Sequence, residues 1–140
     1  MEIEVLVLAN KASTTDGLLS VEGAGWEHAT PQMLPITIGG YVAGIATFTP
    51  AEIDKNPVMT ITIKDREDPE NPGFSASILI FGARPPTASG VPIREPFAVP
   101  FRVPAFRQCV LTASVLDGNK ELSSVTFAVR DPIPDAPPTD

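Results

Sequence analysis

The sequence predicts an all-β domain, a two-sheet antiparallel β-sandwich of about seven to nine strands, immunoglobulin/C2-like in outline. Three observations point there. Sixteen prolines and ten glycines stand among 140 residues, and these residues punctuate a chain into short elements joined by turns. Between them, apolar and polar residues alternate with period two, the signature of half-buried strands. Only one segment carries a helix-start signal.

Taken in order, Ile3, Val5 and Val7 alternate with Glu2, Glu4 and Leu6, so the first strand is half-exposed at its start and buried on both faces by Leu8. Residues 10–17 read as a polar loop in which Asp16-Gly17 marks a turn, and Leu18–Glu22 as a short strand in a hairpin with the first. Gly23-Ala24-Gly25 reads as a tight turn seating Trp26 at one end of the core. It lacks the third glycine and the following helix of a dinucleotide cradle.

Residues 36–49 predict a long strand, whose Gly39-Gly40 and Gly44 suggest a bulge or a close backbone crossing. Thr49-Pro50-Ala51-Glu52 is a capping box with proline at the first helical position, and Asn56-Pro57 stops it after one turn. Met59, Ile61 and Ile63 then alternate with threonines, and Ala76, Ile78 and Ile80 with Ser75, Ser77 and Leu79; residues 65–73 join the two strands as a long hairpin. Residues 84–90 read as a polar link.

Phe97, Val99, Phe101 and Val103 form a strand in which Pro96, Pro100 and Pro104 share one parity, so their missing donors fall along one side. A central strand cannot lose those ladder bonds, which makes this an edge strand. Cys109, Leu111, Ala113 and Val115 predict the next strand, and Asp117-Gly118-Asn119-Lys120 a hairpin turn. In the last strand Leu122 is out of phase with Val125, Phe127 and Val129, which predicts a bulge near Ser123-Ser124. The domain thus spans residues 1–130, and Pro132, Pro134, Pro137 and Pro138 give residues 131–140 the character of an extended polyproline-like tail. The core is expected to bury Val5, Trp26, Ile61, Ile78, Phe101, Leu111 and Phe127.

The segment Gly17-Leu18-Leu19-Ser20-Val21-Glu22-Gly23-Ala24-Gly25-Trp26, with the strand before it and the glycine-asparagine hairpin near the end, resembles an uncharacterised family of small all-β proteins of bacteria and their phages. The resemblance extends to about Arg130. It implies a sandwich-like fold and brings no activity or catalytic residues with it.

Charge and side-chain inventory then narrow the function. Seventeen acidic residues against ten basic ones give a formal charge of -7, which opposes nucleic-acid binding and attachment to anionic membranes. The single cysteine, Cys109, excludes an internal disulfide. It has inward parity and only Arg107 near it, as a structural thiol would. The acidic N-terminus lacks the basic region of a secretory signal, so the chain is expected in the cytoplasm, or in a virion assembled there.

His28 is the sole histidine. It rules out a multi-histidine metal site within one chain, and no strained nucleophile turn accompanies it. No enzyme activity and no cofactor are expected. The acidic run Asp65, Glu67, Asp68 and Glu70 is the one candidate metal site, since hard carboxylates at a loop tip suit Ca²⁺; a solvated hairpin tip is the preferred reading. The prolines of the tail, Pro132, Pro134, Pro137 and Pro138, are the candidate partner-binding residues, because an extended segment docks at low entropic cost. The expectation is a non-enzymatic structural or interaction module with protein partners, a homo-oligomer or an accessory subunit such as a phage capsid or tail decoration protein. A cytoplasmic sensor of a small ligand or Ca²⁺ is the alternative.

Overall fold

The computed structural model describes residues 1–31, 33–80 and 91–130. Ten strands and one helical turn follow in order: β1 (Glu2–Ala9), β2 (Lys11–Thr15), β3 (Leu18–Glu22), β4 (His28–Ala29), β5 (Ile36–Phe48), α1 (Pro50–Ile53), β6 (Val58–Asp65), β7 (Phe74–Leu79), β8 (Ile93–Ala105), β9 (Cys109–Asp117) and β10 (Lys120–Val129). They form a three-stranded sheet, β1-β5-β8, a five-stranded sheet, β4-β10-β9-β6-β7, and a two-stranded ribbon, β2-β3. The protein is all-β, and its two larger sheets share one apolar core. Val42, Phe48, Phe97, Phe101 and Val103 come from the first sheet, and Met59, Ile61, Ile63, Leu111, Val115 and Phe127 from the second. All pairings are antiparallel except that of β4 with β10.

Local sequence explains most of these elements. The capping box at Thr49 forms as expected: Glu52 N–H donates to Thr49 Oγ1, and Thr49 N–H donates to Glu52 Oε1. The Gly118-Asn119 loop, with glycine at positive φ in its first position, has the form of a type II′ turn. The register between β9 and β10 shifts between Glu121 and Ser123, so Leu122 is the extra residue and the phase break seen in sequence is a bulge. β8 is an edge strand. Among the described residues it pairs only with β5, in unbroken register from Ile36↔Ala105 to Phe48↔Ile93.

Three expectations need correction. Val5 is 38% exposed rather than buried. A bulge shifts the register between Ile3 and Val5, so the inward phase passes from Ile3 to Leu6 and Leu8, and Val5 and Val7 turn outward. Second, residues 10–17 are not a loop throughout. Lys11–Thr15 is strand β2, and it, not β1, is the hairpin partner of β3, across an Asp16-Gly17 turn with both φ values positive as a type I′ turn requires.

Third, Trp26 and Ile78 are half-buried against the core rather than within it. Of the two readings of the β5 glycines, the close backbone crossing is the one found, without a bulge in β5: a methyl at Gly44 would overlap the Val5 carbonyl oxygen and the Phe97 ring, and one at Gly40 would meet Trp26. Trp26 packs edge-to-face on Phe101 and Phe127, with ring centroids 6.0 and 5.9 Å away, and its indole N–H donates to Asn10 Oδ1 and Gly23 O. It closes one end of the core, as its glycine-flanked position predicts.

Candidate functional site

The acidic connection between β6 and β7 is the most organised of the sequence-derived candidates. Asp65, the last residue of β6, is only 6% exposed, and its Oδ1 accepts the Glu67 N–H at 3.0 Å. Asp68 N–H donates to Asp65 O and Asn71 N–H to Asp68 O. Asn71 Oδ1 then accepts from Gly73 N–H, while its Nδ2 donates to Pro104 O of β8 at 3.3 Å. These side-chain bonds replace strand pairing along the loop, and Asn71 ties it to the opposite sheet.

The four carboxylates are not brought together. Asp65 is turned inward, Asp68 is half-buried, and Glu67 and Glu70 are exposed. Arg66 reaches across to Glu121 Oε1 at 3.4 Å, and Glu121 also accepts from Ser114 Oγ at 2.8 Å. Among the described residues, no three His, Cys, Asp or Glu side chains converge as metal ligands. The arrangement organises a loop; its one buried carboxylate is already engaged by backbone.

Cys109 begins β9 and is half-buried. Burial pushes its thiol pKa up, and the Asp65 and Asp68 carboxylates push the same way against the pull of Arg107. A thiol held protonated by these causes is a poor nucleophile, which agrees with its inward parity. His28 lies exposed in β4, opposite Ala128 of β10. It shares a shallow depression with Asn10, Gly23, Trp26 and Ala29, a set without a second titratable side chain. The candidate partner-binding residues Pro132, Pro134, Pro137 and Pro138, like the link at 84–90, lie outside the described residues.

Sequence reasoning gave no role to the corner between β7 and β8. A groove of about 400 Å³ runs there, lined by Ile78, Ile80, Pro96, Phe97, Val99 and the ribbon residue Thr14, among others. A signal was present: β7 is the one strand of the corner without proline or charge. No helix among the described residues is long and apolar enough to cross a membrane. No protein family, curated protein or solved structure matches the chain.

Proposed function

We propose that this chain is a non-enzymatic structural or interaction module, an accessory subunit of a larger assembly formed in the cytoplasm. The observation that carries the reading is how the last described strand ends. Among the described residues the hydrophobic cluster runs to Val129, which is fully buried and pairs with Ala29, and Arg130 N–H donates to Ala29 O. The sequence that follows, residues 131–140, is proline-rich and by composition suited to docking on a neighbour, since a proline-rich segment loses little entropy on binding. The finer description of the two packed sheets as an immunoglobulin/C2-like sandwich belongs to the same proposal. So does a place on a phage particle, which rests on the resemblance carried by Gly17 to Trp26.

The experiment is a truncation ending at Arg130. Its melting temperature stays near that of the full chain, while its association with the partner complex, followed by co-sedimentation, is lost. A truncated chain that melts far earlier yet assembles normally overturns the reading, because the tail would then be a strap on its own core. The alternative, a Ca²⁺ or small-ligand sensor, has the buried Asp65 in its favour, and a rise in melting temperature with Ca²⁺ would select it.

A further inference from the structure

Two side chains of the three-stranded sheet are buried away from the core. Ala9 and Ala43 are fully buried, yet both stand apart from the core cluster to which their neighbours Leu8 and Val42 belong. Successive residues of a strand face opposite ways, so Ala9 and Ala43 lie on the outer face of β1-β5-β8. The ribbon β2-β3 lies against β5 and β8. Its Ala12↔Val21 and Thr14↔Leu19 pairs share one side. Ala12 and Val21 line a groove with Tyr41, the residue paired with Ala9, and Thr14 lines another with Pro96 and Ala98 of β8. The ribbon is laid across the outer face.

It is laid there loosely. No residue of either ribbon strand is buried, Val21 is 40% exposed, and none belongs to the core cluster or packs against it. A two-stranded ribbon is marginal on its own in water, so its position depends on how its base is held. Asn10 N–H donates to Glu22 O and Gly23 O, which closes the base. The base is joined to the body through the Trp26 indole N–H, shared between Asn10 Oδ1 at 3.0 Å and Gly23 O at 3.1 Å, one acceptor from each chain of the ribbon. Phe101 and Phe127 hold the ring that carries this donor. Glycine makes room on both sides, since a methyl at Gly23 would overlap the Asn10 amide and one at Gly40 the indole.

The chain can also turn at that point. Gly23 and Gly25 have φ values of 62° and 90°, and Gly25 N–H is fixed to Leu8 O at 2.9 Å. Rotation about Gly23-Ala24 therefore moves the ribbon and leaves the chain from Gly25 onward in place.

We propose that β2-β3 is a hinged strap: it lifts from the outer face as a unit while the core stays folded, and the Trp26 N–H bonded to Asn10 and Gly23 is its latch. Lifting uncovers Ala9, Tyr41 and Ala43. It spares the core, because the apolar contacts it breaks are all on the far side of the sheet.

Amide hydrogen exchange of the full chain tests this. In a two-residue hairpin the pair flanking the turn exchanges backbone bonds and every second pair repeats them, which places the Ser13 and Ser20 amides in the ribbon's ladder. Ala113 and Val115 of β9, between β10 and β6, report on the core. Ser13 and Ser20 are expected to exchange at least about 100-fold faster than Ala113 and Val115, yet slower than a free peptide. Their exchange should depend little on urea, because a local opening exposes little surface. Trp26→Phe keeps a ring against Phe101 and Phe127 and removes the donor, and Asn10→Ala removes an acceptor. Each should raise the ratio of ribbon to core exchange roughly five- to tenfold, the effect of a lost hydrogen bond. If Trp26→Phe fails to fold, Asn10→Ala decides. Ribbon amides with the rate and urea dependence of the core overturn the proposal, since the ribbon then opens only with global unfolding. So do ribbon amides without protection in the wild-type chain, and so does a ratio that either folded variant leaves unchanged.

Discussion

Strands β7 and β8 each end a sheet, face the same corner of the molecule and, among the described residues, leave one side of the backbone without a partner strand. They are built in opposite ways. β8 is long, thirteen residues, and buries Phe97, Phe101 and Val103 on its inner face. Its register with β5 is unbroken, so Pro96, Pro100 and Pro104 occupy positions whose nitrogens point away from β5 and cost no ladder bond. β7 is short, half-buried at Phe74, Ala76 and Ile78, and keeps every outward donor. A long strand with a large apolar face is the greater aggregation hazard, and it is the one carrying proline. The shorter edge, with serines outward, can stay open.

The largest expected effect separates the two strands by burial. Phe101→Ala should lose about 3–5 kcal/mol in urea unfolding, because it empties a site that is 2% exposed and removes the ring packed on Trp26 and Phe74. Ile78→Ala should cost about 1–2 kcal/mol, since a half-buried side chain forfeits only part of its transfer energy. Equal losses would mean that β7 is as deep in the core as β8. Next in size is the combined Pro96→Ser, Pro100→Ser, Pro104→Ser variant. It should unfold within about 1 kcal/mol of the parent, yet scatter light and associate at concentrations where the parent does not. A variant as soluble as the parent would assign the prolines to another task.

The contrast between the edges was half legible. Three prolines of one parity placed β8 at an edge because proline removes a donor whatever the context. The phase break at Leu122 announced its bulge because only one apolar frame exists in that strand. β1 offered two frames, Ile3-Val5-Val7 and Leu6-Leu8, and composition cannot choose between them. The choice is made by pairing with β5, through a bulge beside Glu4 that alternation does not encode. Strand β2 was hidden for the opposite reason. Lys11–Thr15 is exposed or nearly so at all positions, and a ribbon with no buried face has no period-two signal to read. Asp65, Glu67, Asp68 and Glu70 were visible as a cluster of like residues. Their divergence was not visible, because Asp65 belongs to the end of a strand and its neighbours to a turn.

The β1 edge adds a charge-based test. The Met1 ammonium is hydrogen-bonded to Glu52, and together with the Thr49 N–H it holds the Glu52 carboxyl below the usual carboxylate range. A carboxyl whose pKa is lower folded than unfolded stabilises the fold above its unfolded value, and that contribution is lost as pH falls through the lowered folded value. Acid unfolding should therefore begin earlier in Glu52→Gln, with the stability difference from the parent greatest near neutral pH and vanishing in strong acid. The effect should be modest, because the group is about a third exposed. Thr49→Ala, which removes the other half of the capping box, should cost about 1 kcal/mol at neutral pH. A Gln variant identical to the parent at neutral pH would show that β1 is held by its ladder alone.

The smallest expected effect concerns the loop that leads into the open edge. Arg66 and Glu121 are both well exposed, 68% and 45%, so Arg66→Ala should change stability by less than about 0.5 kcal/mol. Millimolar Ca²⁺ should leave the melting temperature where it is, because Asp65 is engaged by the Glu67 N–H and Glu67 and Glu70 point to solvent. A cation that bound the folded chain alone would have to raise the melting temperature. Asn71→Ala is the informative partner to these two. It removes the bond to Pro104 and the turn bond to Gly73, which together hold the start of β7 beside β8, and should cost about 1–2 kcal/mol. If Ca²⁺ instead raises the melting temperature by several degrees, the loop rearranges to gather its carboxylates, and Asn71→Ala, which frees the loop from Pro104, should change the size of that rise while Arg66→Ala does not.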